Sequence, residues 1–349
     1  DVEVFAVAER DGESREVPLP FLSPTIRLGT DILGGGETNV ERLDSGADFD
    51  FRPPAIISAV TAAEAVDDET SRIVVRATVD DPNPPGSTLA ELLRLDVGYL
   101  VEMNDVTIAN ATAEDLELSP GENEIEVADT VPEERVRAWW VSHINNGERS
   151  TMVVRPRVVA DVGVVALPVE MLEGRSEVTT DILGDVGDGG TQTATIAGRP
   201  VVSIGETEAG WGEATDEATP VDVAVRAENL ASEPIEITGI GYTVEMNDVV
   251  MADGATSETI RIDPGETEWV TATANLDNSK LGEWWVSHIR NGERTQLSMS
   301  WYVVVEYRGE SRRVELDGLG GNSTFETSFF AAFSRARSTI AGVMSTPRT

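Results

Sequence analysis

Apolar and polar residues alternate along much of this chain. In the segment 72–79 every odd-numbered position is apolar, as Ile73 and Val79 illustrate, while Arg72 and Arg76 occupy even-numbered positions. A period of two is typical of a strand with one buried and one solvated face. Similar short runs recur through most of the chain, separated by clusters of Gly, Pro, Asn and Asp. The pattern predicts an all-β protein.

Turn residues locate several hairpins within this pattern. Asn104-Asp105 separates strands predicted over 95–103 and 106–108, and both residue types tolerate a positive φ. The acidic stretch 205–219 lacks this alternation, so we expect a loop there, with Trp211 exposed or tucked beneath it.

Two segments instead repeat their apolar residues three and four positions apart. In the first, Val136, Trp140 and Ile144 share one face together with His143. The second has the same arrangement, with Leu281, Trp285, His288 and Ile289. This spacing predicts two short helices in an otherwise all-β chain.

Both predicted helices have recognisable ends. Thr130 is expected to cap the first helix, and Asn278 or Ser279 the second. Asn-Gly dipeptides follow both helices, so Gly147 and Gly292 are expected to end them in a left-handed conformation.

The two helical segments are copies of one motif. RAWWVSHINNGER at 137–149 and GEWWVSHIRNGER at 282–294 agree at ten of thirteen positions. Trp139 thus recurs as Trp284, and the offset is 284 − 139 = 145 residues. A period of this length predicts tandem domains, each with one helix before its last two strands.

This period divides the chain into four parts. We predict the C-terminal hairpin of an incomplete preceding repeat plus a linker at 1–50, complete repeats at 51–197 and 198–324, and an amphipathic C-terminal helix or tail at 325–349. The tail prediction follows from apolar residues spaced three and four apart over 325–344: Phe329, Phe333, Ala336, Ile340 and Val343.

The beginning of the chain corresponds to the end of a repeat. Gly-Glu-Ser-Arg at 12–15 recurs at 309–312, where a repeat closes. Strands predicted over 2–8 and 16–19 form a hairpin, and an isolated hairpin is marginally stable at best in water. We therefore expect residues 2–19 to need a partner, and their strand edges to be open to self-association.

Charge changes the interpretation of this fold more than any other global property. The chain has 63 acidic and 26 basic residues, a formal net charge of -37, and 40% hydrophobic residues. Enough apolar residues are present for packed cores, so we interpret the chain as a folded protein suited to high salt, where screening reduces self-repulsion. A cationic partner is the alternative. Nucleic acid is disfavoured because binding phosphates requires a basic surface.

Candidate chemistry is sparse. The chain has no cysteine and two histidines, His143 and His288, and neither has a second His or Cys at ligand spacing within its repeat. We therefore expect structural roles for both. The Trp pairs at 139–140 and 284–285 suit either an aromatic binding cleft or a structural role. We favour the structural role, with one ring in the core and the other along a sheet edge.

Other motifs add little to this picture. Asp80-Asp81 and the loop 185–190 offer oxygen ligands for a hard cation, but without EF-hand spacing. Neither a Gly-x-Ser-x-Gly elbow nor a P-loop is present, and no carboxylate pair stands out for glycoside hydrolysis. We expect no catalytic residue, cofactor or metal. Asn110 and Asn322 match the glycosylation acceptor pattern, which matters only if the protein is exported.

Several of these motifs together resemble a known family. They are Asp81-Pro82-Asn83-Pro84 after a strand, a Gly-Tyr-x-Val-Glu-Met-Asn hairpin, a Pro-Gly turn and a short helix before the closing strands. This order is similar to that of the WHy domain of late embryogenesis abundant (LEA) type 2 proteins, in the tandem form of haloarchaea. The resemblance covers 53–183 and 198–330. Its signature positions in this chain are Pro82, Asn83, Pro84, Trp139, Trp140, His143, Gly147, Trp284, Trp285, His288 and Gly292.

The resemblance implies a fold and a function. It implies β-sandwiches of immunoglobulin or fibronectin-III type and a protective, non-catalytic role in desiccation or salt stress, exerted on client proteins. It also implies a membrane anchor upstream of residue 1 and display at the cell surface, with the cytoplasm as the alternative. The second repeat departs from the family pattern, because residues 228–234 replace the Asn-Pro loop. A binding role for that loop therefore cannot hold equally in both repeats.

Two other functions remain open at this stage. An adhesive or filament-forming module assembled by strand complementation would use the hairpin at residues 2–19. A carbohydrate-active or metal-dependent enzyme would use the acidic loops and exposed aromatic residues.

Overall fold

The computed structural model describes residues 5–10, 13–18, 54–85, 93–161, 166–169, 173–184, 186, 190–316 and 321–330. The strands are β1 Phe5–Arg10, β2 Glu13–Pro18, β3 Ala55–Ala65, β4 Ser71–Asp81, β5 Arg94–Met103, β6 Val106–Glu117, β7 Gly121–Val131, β8 Arg149–Asp161, β9 Ala166–Val169, β10 Gly174–Thr179, β11 Gln192–Ile196, β12 Arg199–Trp211, β13 Ala218–Asn229, β14 Ile235–Met246, β15 Val249–Ala255, β16 Ile260–Ile262, β17 Thr267–Asp277, β18 Arg294–Tyr307, β19 Glu310–Glu315 and β20 Gly321–Glu326. The helices are α1 Glu133–Asn145 and α2 Leu281–Arg290.

Each repeat is a sandwich of two antiparallel sheets. In the first repeat, β3-β4-β7 faces a sheet ordered β10-β8-β5-β6, in which β9 also pairs with β8. In the second, β11-β12-β13-β17 faces β15-β14-β18-β19, with β16 on β14 and β20 on β18. The all-β prediction is confirmed.

Alternation along the strands builds the core as the sequence pattern predicts. In β4, Ile73 and Val79 are buried while Arg76 is exposed. The same alternation in β18 buries Leu297, Trp301 and Val305. One apolar face from each sheet therefore meets the other across the sandwich.

The tight hairpins are confirmed. Asn104 and Asp105 have φ of 49° and 63°, and Asn247 and Asp248 have φ of 50° and 65°. Two successive positive φ values twist a two-residue loop in the direction that the flanking strands require. Asn and Asp tolerate this conformation, so both repeats place them there.

Three details differ from the sequence-based predictions. Three strands rather than two follow each helix, because β10 and β20 return to pair with β8 and β18. The predicted loop over 205–219 is wrong in its first half, since β12 continues to Trp211 past a bulge at Glu206, whose φ is 44°. The predicted helix over 325–344 does not begin at residue 325, because β20 includes that residue; its part beyond 330 lies outside the described residues.

The predicted hairpin at the beginning of the chain is present, but its strands are shifted from the predicted bounds of 2–8 and 16–19. Strands β1 and β2 pair antiparallel, from Phe5 opposite Pro18 to Arg10 opposite Glu13. They make a two-stranded sheet of their own. The linker predicted at 34–50 and the acidic loop at 187–189 lie outside the described residues.

Candidate functional site

The first helix begins later than predicted. Its N-cap is Pro132, and no side chain caps it. Thr130 is not the cap, because it lies in β7 and pairs with Arg72 of β4. Glu133 and Glu134 occupy the first turn, where the helix dipole favours negative charge.

The second helix is preceded by a single turn of 3-10 helix, Asn278–Lys280. The cap of that turn is Asp277, whose carboxylate accepts a hydrogen bond from the Ser279 amide at 3.0 Å. The N-cap of α2 itself is Lys280, which makes no side-chain cap hydrogen bond, so the cap predicted at Asn278 or Ser279 is wrong. Asn278 is instead fully buried, and its Oδ1 accepts from the Thr219 hydroxyl at 2.9 Å.

Both helices end as the Asn-Gly dipeptides predict. Gly147 and Gly292 have φ of 67° and 71°. The amide of Gly147 donates to the Ile144 carbonyl at 2.9 Å, and that of Gly292 to the Ile289 carbonyl at 3.0 Å. Glycine adopts this conformation without strain, so each helix ends at the same position of the motif.

The two helices pack against each other, and their four tryptophans form one aromatic core between the repeats. The ring centroids of Trp139 and Trp284 lie 6.4 Å apart with planes inclined by 8°. Trp140 meets Trp284 edge-on at 4.9 Å, and Trp139 meets Trp285 edge-on at 5.3 Å. Each repeat therefore presents its helix to the helix of the other.

All four rings are at most 2% exposed. The prediction that one ring of each pair lies along a sheet edge is wrong, because the second ring packs against the other repeat. Sequence periodicity identifies the apolar face of a helix but not the surface that covers it. The four buried rings do not line an open aromatic cleft.

Hydrogen bonds cross this interface in both directions. The indole Nε1 of Trp140 donates to Thr219 Oγ1 of the second repeat at 3.0 Å. The Nε1 of Trp285 donates to Ser71 Oγ of the first repeat at 3.0 Å. Thr219 and Ser71 occupy matching positions at the beginnings of β13 and β4. The interface is therefore approximately twofold symmetric within one chain.

Further polar contacts surround the aromatic core. Asn145 donates to the Ala214 carbonyl and accepts from the Ala214 amide, both at 2.9 Å. On the opposite side, Arg290 donates to the Asp67 carbonyl at 2.8 Å and pairs with Asp68 at 2.9 Å. Each helix thus contacts, with its last turns, a loop of the other sandwich.

Behind each tryptophan a chain of hydrogen bonds runs through a histidine. In the first repeat Trp139 donates to Ser150 Oγ at 2.8 Å, and Ser150 lies 2.9 Å from Nδ1 of His143. Nε2 of His143 lies 2.8 Å from Thr180 Oγ1, which donates to Glu148 at 2.8 Å. Since the indole only donates and the carboxylate only accepts, the network assigns the proton of a neutral His143 to Nε2.

The second repeat has the same chain. Trp284 donates to Thr295 Oγ1 at 2.9 Å, and Thr295 lies 2.8 Å from Nδ1 of His288. Nε2 of His288 lies 2.9 Å from Thr327, which donates to Glu293 at 3.0 Å. Burial lowers the pKa of both histidines to about 4, so both rings are neutral at pH 7.

This geometry gives the histidines a structural role. Both ring nitrogens of each histidine are already hydrogen-bonded to hydroxyl groups inside the protein. Within the described ranges, no group of three or more His, Cys, Asp or Glu side chains is arranged to hold a metal ion.

A glutamate closes each chain, Glu148 buried and Glu293 half-buried, and sequence reasoning missed both. Glu148 also accepts from the Ile182 amide at 2.7 Å and from Trp211 Nε1 at 2.7 Å. Glu293 accepts from the Phe329 amide at 2.8 Å. Their φ values of 57° and 61° turn these side chains inward directly after the helix-ending glycines. The Gly-Glu-Arg common to both motifs was the available signal.

The asparagine of the Glu-Met-Asn hairpin fixes that hairpin to the helix. Asn104 Nδ2 donates to Ser142 Oγ at 3.2 Å, and its Oδ1 accepts from the Thr151 amide at 2.9 Å. In the second repeat Asn247 contacts Ser287 at 3.1 Å in the same way. The motif therefore joins two elements that are distant in sequence.

The Asp81-Pro82-Asn83-Pro84 loop is also a structural turn. Asp81 and Asn83 are each 2% exposed, and Asp81 Oδ1 accepts from the Asn83 amide at 3.1 Å and its Nδ2 at 2.5 Å. Pro82 and Pro84 are exposed. In the second repeat Asn229 Oδ1 makes the same bond to the Ala231 amide at 2.8 Å. The turn is thus present in both repeats although their sequences differ.

The surface near the helix beginnings is a shallow acidic cleft. It has a volume of about 470 Å³, and its lining includes the carboxylates of Asp68, Glu69, Glu133 and Glu283. Four carboxylates around one opening disfavour an anionic ligand. Gly282 allows close approach here, since a Cβ at that position would lie 2.7 Å from Glu133 Cγ.

Fold and site together define a tandem β-sandwich protein whose two repeats share one aromatic interface. Residues 224–317 match the family model of late embryogenesis abundant protein. Over these residues the second repeat is therefore similar to an LEA-type family, and the match supports a relationship to it. A search of curated proteins finds no match.

Solved structures resemble parts of the chain. A protein from Archaeoglobus fulgidus is 31% identical over a match that covers 36% of this chain and 97% of that chain, with a TM-score of 0.34. A structural-genomics target, SoR45, is 13% identical over 36% of this chain and 85% of that chain, with a TM-score of 0.22. A Bacteroides uniformis β-glucuronidase is 9% identical over 73% of this chain and 26% of that chain, with a TM-score of 0.22. These TM-scores are too low to support an inference about architecture or activity.

Proposed function

We propose that this chain is a non-catalytic protective protein of the LEA type 2 class, in the tandem WHy-domain form, adapted to high salt. The observation that carries the proposal is the family match over residues 224–317. The repeated motifs extend the likeness to the first repeat, because the two repeats share their helix, hairpin and buried hydrogen-bond chains.

The burial and hydrogen bonds of the signature residues support a non-catalytic role. The tryptophans and histidines common to both repeats are buried, and their polar atoms are hydrogen-bonded within the protein. A protein of this kind acts through its outer surface rather than through a pocket.

That surface supports a role in high salt. With a net charge of -37 the chain repels itself strongly in dilute buffer, and about 1 M salt shortens the Debye length to about 3 Å. Arginines pair with some of the exposed carboxylates, as where Arg76 contacts Glu64 at 2.7 Å and Glu126 at 2.9 Å. Such a surface keeps water and cations at the protein and resists aggregation when water becomes scarce.

The proposal is tested by drying. A client enzyme is dried and rehydrated in high salt with this protein, or with an equal mass of an unrelated acidic protein as control. We expect more recovered activity and less light scattering with this protein than with the control. Equal recovery in the two samples would contradict the proposal, because charge alone would then explain the effect.

A second candidate is an adhesive module assembled by strand complementation through residues 2–19. It is favoured by one observation, that β1 and β2 form a separate two-stranded sheet. If it holds, deleting residues 1–33 abolishes the association that light scattering detects for the full chain. Unchanged association after the deletion would rule out this hairpin as the assembling element.

The family resemblance also supports a location at the membrane or cell surface of a halophile, with the cytoplasm as the alternative. Among the described helices, none has the length and apolar character needed to cross a membrane. Fractionation of cells expressing the native gene distinguishes the two locations.

A further inference from the structure

The strand β17 is an edge strand whose outward positions are uncharged over most of its length. It pairs with β13 on one side and lies at the end of its sheet in the described part of the chain. Its outward positions are uncharged from residue 267 to residue 275: Thr267, Trp269, Thr271, Thr273 and Asn275. Trp269 is 45% exposed, which is unusual for a tryptophan in this protein.

The edge of β17 that does not pair with β13 carries the backbone N–H and C=O groups of these same odd-numbered residues. The Asn229 amide donates to the Glu266 carbonyl and the Asn278 amide to the Glu217 carbonyl, so even-numbered residues face β13. In an antiparallel ladder the peptide groups of alternate residues point to opposite sides. Pro220 has no amide hydrogen and cannot donate to β17. It lies opposite Asn275, an odd-numbered residue that does not bond to β13, which agrees with this assignment. The odd-numbered residues from Thr267 to Asn275 therefore direct their N–H and C=O groups away from the sheet.

The matching strand of the first repeat is protected. In β7 the positions equivalent to Thr267, Trp269 and Thr271 are Glu122, Glu124 and Glu126, all exposed. Charged side chains on an edge strand are a common means of preventing edge-to-edge pairing. In a chain with 63 acidic residues, the second repeat has no glutamate at these three outward positions, and Glu268 lies between two of them.

We propose that β17 is a self-association edge, which pairs antiparallel with β17 of a second copy of this chain. A twofold axis at Thr271 places Trp269 opposite Thr273 and Thr267 opposite Asn275 of the second copy. The acidic residues at the ends of the strand also avoid each other, since Glu268 then faces Ala274 and Asp277 faces Gly265. The pairing thus brings no carboxylate opposite another carboxylate.

Charge also determines when this pairing occurs. Two chains of -37 each repel at long range, and salt screens that repulsion while leaving main-chain hydrogen bonds intact. Association through β17 therefore strengthens as salt increases. It is independent of the protective function proposed above and uses residues other than the hairpin at 2–19.

Sedimentation velocity over a range of protein concentrations, in dilute buffer and in about 1 M salt, tests the proposal. We expect a concentration-dependent dimer of the wild-type chain in high salt and at least a tenfold weaker dimer in dilute buffer. Thr271→Pro removes an outward amide from an edge, where proline is tolerated, and should abolish the dimer. Thr271→Val keeps that amide and should retain the dimer.

Charge variants distinguish an effect of charge at the β17 edge from an effect of added charge elsewhere on the surface. Trp269→Glu with Thr271→Glu copies the glutamates of β7 and should abolish association. Ala224→Glu adds charge to the neighbouring inner strand β13 and should leave the dimer within about threefold of wild type, given that screened surface charges contribute little. A wild-type monomer in high salt, or a dimer that survives Thr271→Pro, would overturn the proposal. Circular dichroism confirms that each variant is folded.

Discussion

The two repeats are most alike where they touch each other and least alike where they face solvent. The interface residues Trp139 and Trp140 and the neighbouring His143 recur as Trp284, Trp285 and His288, and they bond serine or threonine hydroxyls at matching positions over nearly the same distances. At the outer edges, by contrast, three glutamates of β7 correspond to Thr267, Trp269 and Thr271 of β17. The shared residues therefore maintain one interface, and the repeats differ where that interface imposes no constraint.

The likeness is not complete even at the interface. Thr219, which accepts from Trp140, also donates to Asn278 Oδ1 at 2.9 Å, and Asn278 in turn donates to the Thr215 carbonyl at 2.6 Å. Among the residues that the structure describes, Ser71 makes one such bond, which it accepts from Trp285. The same tryptophan contact thus belongs to a longer network on one side than on the other. We therefore expect Ser71→Ala and Thr219→Val to lower the stability by unequal amounts.

The largest effect is expected from removing a ring at the centre of the interface. Trp139→Ala should lower the free energy of unfolding by about 4 kcal/mol or more, since a fully buried tryptophan is replaced by a cavity. Trp269→Ala is the matched control, and because that ring is 45% exposed it should change stability by less than about 1 kcal/mol. Chemical denaturation in constant high salt measures both. Equal effects would mean that the aromatic core is not the stabilising contact.

The second largest loss of stability is expected from replacing the glutamates that end the hydrogen-bond chains through the histidines. Glu148→Ala leaves the Ile182 amide, the Trp211 indole and the Thr180 hydroxyl without an acceptor. Unpaired buried donors should cost about 3 kcal/mol in total. Glu293→Ala should show a comparable loss, because Glu293 accepts from the Phe329 amide and Thr327 hydroxyl. Exposed Glu124→Ala is the control, and a loss as large as that of Glu148→Ala would contradict the assigned role.

A smaller effect per residue is expected from the pH dependence of the two histidines. The folded histidines have a pKa of about 4, against an ordinary value of 6.5. Below pH 6.5 the unfolded chain takes up protons that the folded chain does not, so stability falls as the pH decreases towards 4. The loss should be about 2 kcal/mol per histidine between pH 6.5 and about pH 5.

Replacing both histidines isolates this contribution. Unfolding curves of the His143→Gln, His288→Gln variant, if it remains folded, should lose most of the slope in that pH range. The single replacements should each remove about half of it. An unchanged slope in the double variant would assign the pH dependence to the carboxylates instead.

The smallest losses of stability are expected from removing the two hydrogen bonds that the Trp140 and Trp285 indoles donate across the interface. Ser71→Ala leaves the Trp285 indole without an acceptor and should cost about 1 kcal/mol. Thr219→Val leaves the Trp140 indole unpaired and also removes the donor to Asn278, so it should cost about twice as much. Denaturation midpoints measured side by side decide the order. The reverse order would contradict the longer network assigned to Thr219.

The sequence predicts the internal architecture of a repeat well. Alternation locates β4, the Asn-Asp turns locate the hairpins, and Gly147 and Gly292 locate the helix ends. These features depend on residues close together in sequence, so a local pattern suffices. The helix beginnings were misplaced because Thr130 is a good cap by residue type, while its backbone is engaged in the β7 ladder.

The interface itself could not be predicted by the same means. The spacing of Trp140 and Ile144 marks an apolar face, but the partner face lies on another helix 145 residues away. Glutamate and threonine are residue types that usually lie at the surface. Only folding brings Glu148, Thr180 and Thr219 to His143 and Trp140. Comparing the repeats position by position would have singled out Glu148, because it recurs as Glu293 beside the glycine.

The central claim is that the two sandwiches form a single cooperative unit through the tryptophan helices. Hydrogen exchange of the Trp139→Ala variant, with peptides of β13 and β14 read separately from those of β4 and β5, tests it most directly. We expect protection to fall in the second repeat by nearly as much as in the first, although the substitution lies only in the first. Full protection of β13 and β14 alongside weakened protection of β4 and β5 would show that the repeats unfold independently, and would contradict the account.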